Sequence, residues 1–414
     1  MNRIDFVKSH KDELSHKKSL FLDLKKYEEI YKISSPDDTA SRSYVYIARD
    51  EDGNGVVLKI TKIDEYDYHK LEYTYPVMEA KIYNVTNKLI ENKITPHIFM
   101  LMDSMKPTFI DKKHDFYNII DQEVYVSAML LETFHKKDEL FELNELIRYN
   151  PATEKTIFNL LFQIIYTLEA FNMIGLKHND LHLSNIMVIK KTLATKNQCI
   201  EYILADGTTV RLPYIGYDTR IYDFDRSCKL KRGKYSEEIR MPDDSFRQFY
   251  QTCIPNDKFD TYKILGHVHE YTKLKGIKEF IETCFPAKEL IRKGTLKGRT
   301  YNNKFDGKRY YQIKGKPKDK HMLSTTDILS RLAEKVHDKS CINVIDTYSL
   351  TNIAPLISTP KRTKRTLKSK VLGRIPIALR SKGTLKSKVL RHIPASLRSR
   401  RRRTKARRSS TTSV

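Results

Sequence analysis

Apolar and polar positions first fall into a regular pattern at Tyr44. YVYIA is followed by a DGNG turn at 52–55 and then by VVLKI, which predicts a hairpin of two β-strands. Residues 77–91 (VMEAKIYNVTNKLIE) space Val77, Ile82, Val85 and Leu89 at roughly helical intervals, and 124–131 (VYVSAMLL) reads as a short apolar strand. The run 153–174 (TEKTIFNLLFQIIYTLEAFNMI) is apolar on nearly every face, which marks a buried helix closing at Gly175, a residue suited to a C-cap. A β-rich first part therefore precedes an α-rich second part. Ahead of both, residues 1–30 are charged and helix-compatible, with an apolar stripe of Leu20, Leu22, Leu24, Tyr27 and Ile30.

Charge divides the chain again. Of its 414 residues 40% are hydrophobic, enough for a substantial core, yet the net charge is +25. Residues 361–414 hold 20 Lys and Arg and no Asp or Glu, leaving 56 basic and 51 acidic residues before them, a charge of +5. The tail repeats itself: TLKSKVLGRIPIALRSK from Thr366 recurs as TLKSKVLRHIPASLRSR from Thr384. Too little of it is apolar to form a core, so the expectation is a low-complexity tail that is disordered or folds on a partner. With no aromatic residue in it, contact with nucleic acid or another polyanion would run through phosphate charge, and nuclear targeting fits the same composition.

The five cysteines (Cys199, Cys228, Cys253, Cys284, Cys341) show neither a C-x-x-C pair nor zinc spacing, so free thiols in a reducing compartment are expected. No stretch approaches bilayer length, and the N-terminus is too polar for a signal peptide, so a soluble protein of cytoplasm or nucleus, without membrane contact, is expected.

Candidate chemistry clusters in two segments. KHNDLHLSNIMV at 177–188 follows the buried helix directly and places Asn185 five residues after Asp180. The spacing sets an acceptor-only carboxylate beside an amide oxygen able to join the shell of a hard metal ion. RIYDFDRS at 220–227 is a β-branched and aromatic run ending in Asp223, Phe224 and Asp225. The first segment matches H-x-D-L-x-x-x-N and resembles the catalytic loop of protein kinases. Its Asp-Leu-His variant is similar to haspin-type kinases and to the kinase-like proteins of large DNA viruses. The second resembles the kinase D-F-G, with Asp225 in place of Gly.

That resemblance implies ATP and Mg²⁺, with Asp180 as the base, Asn185 and Asp223 as metal ligands, and Phe224 as a packing residue. It also implies that Lys59 in VVLKI, paired with Glu79 on the next helix, contacts the phosphates. Ala40, Ser43 and Val45 take positions of the nucleotide-covering loop, with Asp38 where its first glycine would be. By the same resemblance Leu131 would line the adenine pocket, Glu132, Thr133 and Phe134 would form the hinge, and Asp260 in FDTYKILG would hold the catalytic loop through its backbone. Departures are plain: the glycine-rich loop has no glycines, and His182 replaces the lysine usual in Ser/Thr kinases. An A-P-E equivalent is reduced to Ile254-Pro255. Between Asn185 and Asp223 lie far more residues than the short hairpin usual in kinases, and Asp223 reaches Asn185 if this stretch is an extended hairpin with a turn at 205–207.

The fold expected is α+β: a two-lobed protein-kinase-like domain over 30–350, its β-rich lobe ending near Thr133, between an N-terminal extension (1–29) and the tail. The expected activity is that of an ATP-dependent Ser/Thr protein kinase. A pseudokinase scaffold, a small-molecule kinase of the aminoglycoside or choline type, and a nucleic-acid-binding protein acting through its tail are the alternatives, and a large DNA virus is the expected source.

Overall fold

The computed structural model describes residues 29–34, 43–49, 55–63, 75–114, 116–132, 138–149, 152–191, 197–231, 234–235, 257–285, 294–296, 299–301 and 323–357. By its contacts the chain separates into two compact units, Met1–Lys361 and Arg362–Val414, and every described residue lies in the first. The basic tail, most of the N-terminal extension, Asp38, Ala40, Thr133, Phe134 and Ile254-Pro255 lie outside the described residues.

The architecture is mixed α+β, with a sheet-rich N-terminal region and helices after it. Strands β1 (Glu29–Ser34), β2 (Ser43–Arg49), β3 (Gly55–Ile63), β4 (Leu101–Ile110) and β5 (Val124–Leu131) form one antiparallel sheet in the order β1-β2-β3-β5-β4. Ile30, the end of the apolar stripe read as helix-compatible, thus falls in a strand. Helix α1 (Tyr75–Glu91) lies between β3 and β4 in sequence and buries Met78, Ile82, Tyr83 and Leu89, the i, i+4 spacing of a core-facing stripe. Asn87 of α1 exchanges two hydrogen bonds with the backbone of Leu101, which pins the helix to the start of β4. A short turn of helix, α2 (Tyr117–Ile120), connects β4 to β5.

The second part is built on α4 (Glu154–Met173), where the run from Ile157 to Phe171 is almost wholly buried. It starts where Thr153 accepts the Thr156 N–H and ends at Gly175, whose φ of 70° is the left-handed conformation that favours glycine. Before it come β6 (Glu139–Glu142) and α3 (Leu143–Arg148); after it come β7 (Leu176–Lys177) and β8 (Ile186–Lys190).

The long insertion resolves as the extended hairpin. Strand β8 pairs antiparallel with β11 (Tyr217–Ile221), Ile186 opposite Ile221, and a second hairpin of β9 (Gln198–Ile203) and β10 (Thr209–Pro213) is carried between them. Gly207, at φ 86°, makes its turn. Beyond lie β12 (Cys228–Lys231), β13 (Lys234–Tyr235), α5 (Phe259–Tyr271), α6 (Lys275–Thr283), the β14–β15 pair (Gly294–Leu296, Arg299–Tyr301), α7 (Thr325–Val336), β16 (Asn343–Ser349) and α8 (Ala354–Ile357).

Strand β16 returns to pair in parallel with β9, Val344 opposite Cys199. That return corrects the cysteine expectation. Cys341, just ahead of β16, is disulfide-bonded to Cys199 across a sequence separation of 142, while Cys228 and Cys284 are free and buried. Spacing along the chain carries no trace of a pair made by strand pairing. Among the described residues, no helix is long and apolar enough to cross a membrane.

Candidate active site

The loop between β7 and β8 is held by its backbone. Asp260, in the first turn of α5, accepts the N–H of His178 at 2.7 Å on one oxygen and of Asn179 at 2.8 Å on the other. This is the role read for it from the sequence. The His178 ring meets the Tyr222 carbonyl at 2.9 Å, and Ser227 donates to the His178 carbonyl at 3.0 Å. Asn179 adopts φ 72°, a left-handed turn that asparagine tolerates better than most residues. Fixed on both sides, the loop presents Asp180.

Two cations face that carboxylate. Lys263 Nζ lies 2.8 Å from Oδ1, and Arg226 Nε lies 3.6 Å from Oδ2. Burial pushes the Asp180 carboxyl up, but Lys263, with smaller help from Arg226 and His182, outweighs it and holds the group below its ordinary value. Burial also depresses the His182 imidazole. Asn185 closes the loop by donating from Nδ2 to the Asp180 carbonyl at 3.0 Å, so its amide oxygen is the atom left to coordinate a ligand.

Strand pairing delivers Asp223 to the same place. Because Ile186 sits opposite Ile221, the residues after β11 emerge beside Asn185, whose carbonyl accepts the Tyr222 N–H at 3.2 Å. Asp223 has φ 65°, costly for a residue with a Cβ, and its N–H donates to the Tyr83 hydroxyl at 3.3 Å. Lys59 then spans the two halves of the site. Its ammonium lies 2.9 Å from each Glu79 carboxylate oxygen and 2.5 Å from Asp223 Oδ1.

Lys59 and Glu79 are buried, at 7% and 1% exposure, so neither charge is tenable without the other. Burial works against the Lys59 ammonium, yet Asp223 and Glu79 together raise it well above its ordinary value. Burial pushes Glu79 up to about 7, with Lys59 pulling against it. Burial likewise lifts Asp223, but Lys59 overrides it and leaves that carboxyl depressed. Asp225, where D-F-G has glycine, is pushed well up by burial and by Asp223. Phe224, fully buried, packs on Tyr83, His178 and Phe171, with ring centroids 4.9, 5.0 and 5.9 Å away, and so ties α1, the loop and α4 together.

Lys59, Glu79, Asp180, Asn185 and Asp223 therefore converge, from β3, α1, the loop and the segment after β11. The other positions read as facing the nucleotide lie on β2 and at the end of β5. Ser43 shares a 2.8 Å hydrogen bond with the Thr61 hydroxyl, and Val45 stands opposite Lys59 in the β2–β3 register. Leu131 is buried at the end of β5, and the Glu132 carboxylate is turned inward, 3.6 Å from Arg220. Three residues escaped the sequence reading: Lys263, Arg226 and Tyr83. Lys263 is three positions after Asp260 and Tyr83 four after Glu79, so helical spacing from an already chosen residue was the signal available.

Among the described residues, no group of three or more His, Cys, Asp and Glu side chains is arranged to hold a metal by itself. The donors that do converge, the Asp223 carboxylate and the Asn185 amide oxygen, are hard oxygen ligands. They suit Mg²⁺, which takes few protein ligands and fills its shell with phosphate and water.

No family model matches the chain, and no curated protein matches its sequence. Among solved structures, "WaaP in complex with acyl carrier protein" aligns over 79% of this chain and 96% of that chain, at 10% sequence identity and a TM-score of 0.35. At that TM-score the likeness bears on neither fold nor activity, and the chain's own residues have to carry both.

Proposed function

We propose that residues 30–350 form a two-lobed protein-kinase-like domain that transfers the γ-phosphate of ATP to a hydroxyl, with a serine or threonine of a protein as the acceptor. The observation that carries this reading is Lys59, whose buried ammonium bridges Glu79 and Asp223 within a site that also holds Asp180 and Asn185. A structural ion pair needs one acid; here a second carboxylate is drawn to the same cation from 164 residues away in sequence.

In this reading Lys59 places its charge on the nucleotide phosphates and Glu79 keeps it aimed. Asn185 and Asp223 would hold Mg²⁺, which when bound neutralises charge on the phosphates. Asp180, kept ionised by its cations, accepts the proton of the acceptor hydroxyl while that oxygen bonds to the γ-phosphorus and ADP departs. Catalysis then rests on positioning and charge, the terms this site is built to supply. The tail, 361–414, is assigned to a polyanionic partner such as nucleic acid, bound through phosphate charge.

The test offers labelled ATP and Mg²⁺ to the full chain with three acceptors: a mixed protein substrate, an aminoglycoside or choline, and none. Label on protein serine or threonine supports the reading. Label on the small molecule alone would move the acceptor class, and ATP binding without any transfer would leave a pseudokinase scaffold.

A further inference from the structure

Asp180 owes its setting to a residue outside its own loop. Helix α5 offers the loop two contacts from one face: Asp260 takes the N–H groups of His178 and Asn179, and Lys263, three positions on, takes the Asp180 side chain at 2.8 Å. The residues between them face elsewhere, Thr261 towards Thr325 and Tyr262 towards the carbonyls of Cys284 and Leu323. Lys263 is 9% exposed, and burying an ammonium costs several kcal/mol unless a charge answers it. Asp180 is the anion that answers. Within the loop, the residue two positions after Asp180 is His182, an imidazole and not a lysine.

We propose that Lys263 is the positioning residue for Asp180: it clamps Oδ1 and leaves Oδ2 as the oxygen that receives the acceptor's proton. Among the described residues Oδ2 has only the 3.6 Å approach of Arg226, beyond hydrogen-bond length, so it is the open oxygen of the pair. Helix α5 then fixes both the backbone and the side chain of the catalytic position. The inference rests on the phosphotransfer reading of the site and deepens it.

Its test measures kcat and the KM for ATP in the full chain for the intact sequence, K263M, K263R and D180N. Methionine keeps the length and apolar stem of lysine, and K263Q serves if K263M does not fold, as judged by circular dichroism and thermal unfolding. The expected result is a fall in kcat of about 100-fold for K263M, the scale of removing one preorganised electrostatic contact, with KM for ATP unchanged. K263R should recover most of it. A purely structural role would lower stability and leave kcat per folded molecule intact, which would overturn the inference. So would a loss confined to KM, or a K263R no better than K263M. If the intact chain transfers nothing, the phosphotransfer reading itself falls; transfer lost in D180N but kept in K263M removes the inference alone.

Discussion

Lys59→Met removes the cation shared by the Glu79 and Asp223 carboxylates. At 2.9 Å to Glu79 and 2.5 Å to Asp223, with an effective dielectric of about 20, each contact is worth roughly 6 to 7 kcal/mol of gross Coulomb energy, most of which offsets the cost of desolvation. Removing one partner of such a buried set leaves the other charges unanswered, at a net loss of about 3 to 5 kcal/mol. The loss has a pH signature. Glu79 is already raised to about 7, above its unfolded value, so it favours folding more as pH falls through 7. Asp223 is depressed, so its stabilisation is present above its unfolded value and lost only in stronger acid. Without Lys59 the Glu79 carboxyl rises further and the Asp223 carboxyl loses the cation that depresses it, and the penalty is therefore largest near pH 8.5 and smaller near pH 5.5, where Glu79 is neutral. Urea unfolding followed by circular dichroism measures this, the chain having no Trp and 25 Tyr as the alternative fluorescent probe. A loss below about 1 kcal/mol at pH 8.5, or a loss independent of pH, would refute the reasoning. Adding Glu79→Gln should recover at least half of it, since the two sites share a partner.

Asp260→Ala orphans the N–H groups of His178 and Asn179 and should cost about 2 to 4 kcal/mol, with faster amide exchange at both positions as the check. Phe224→Ala empties a fully buried site between Tyr83, His178 and Phe171, which should cost about 3 to 5 kcal/mol by the same urea assay. Non-reducing peptide mapping should recover Cys199 and Cys341 in one linked peptide, and reduction should lower stability by about 5 kcal/mol, given a closed loop of 142 residues. Separate peptides would contradict the pairing.

What the sequence disclosed was local. The β2–β3 hairpin, α4 with its cap at Gly175, and the spacing of Asp180 and Asn185 are all set by residues within one or two elements, where period and turn chemistry speak directly. Asp223 could be read from its motif, but its arrival beside Asn185 depended on the β8–β11 register, which the extended-hairpin reading anticipated. Contacts across space left no pattern. Arg226 and the Cys199–Cys341 pair meet their partners across 46 and 142 residues, and nothing in composition distinguishes them from other arginines and cysteines, while Lys263 had only its helical spacing from Asp260. The inward turn of Glu132 towards Arg220 is a contact of the same kind, made across 88 residues and unmarked in the sequence.

The measurement to make first is transfer of labelled phosphate from ATP with Mg²⁺ by the intact chain, beside D180N and D223N, each shown to be folded. Transfer by the intact chain that falls at least 100-fold in both variants is the expected result, because one loses the base and the other a metal carboxylate. Undiminished transfer in either variant, or none from the intact chain, would contradict the assignment of this site to phosphoryl transfer.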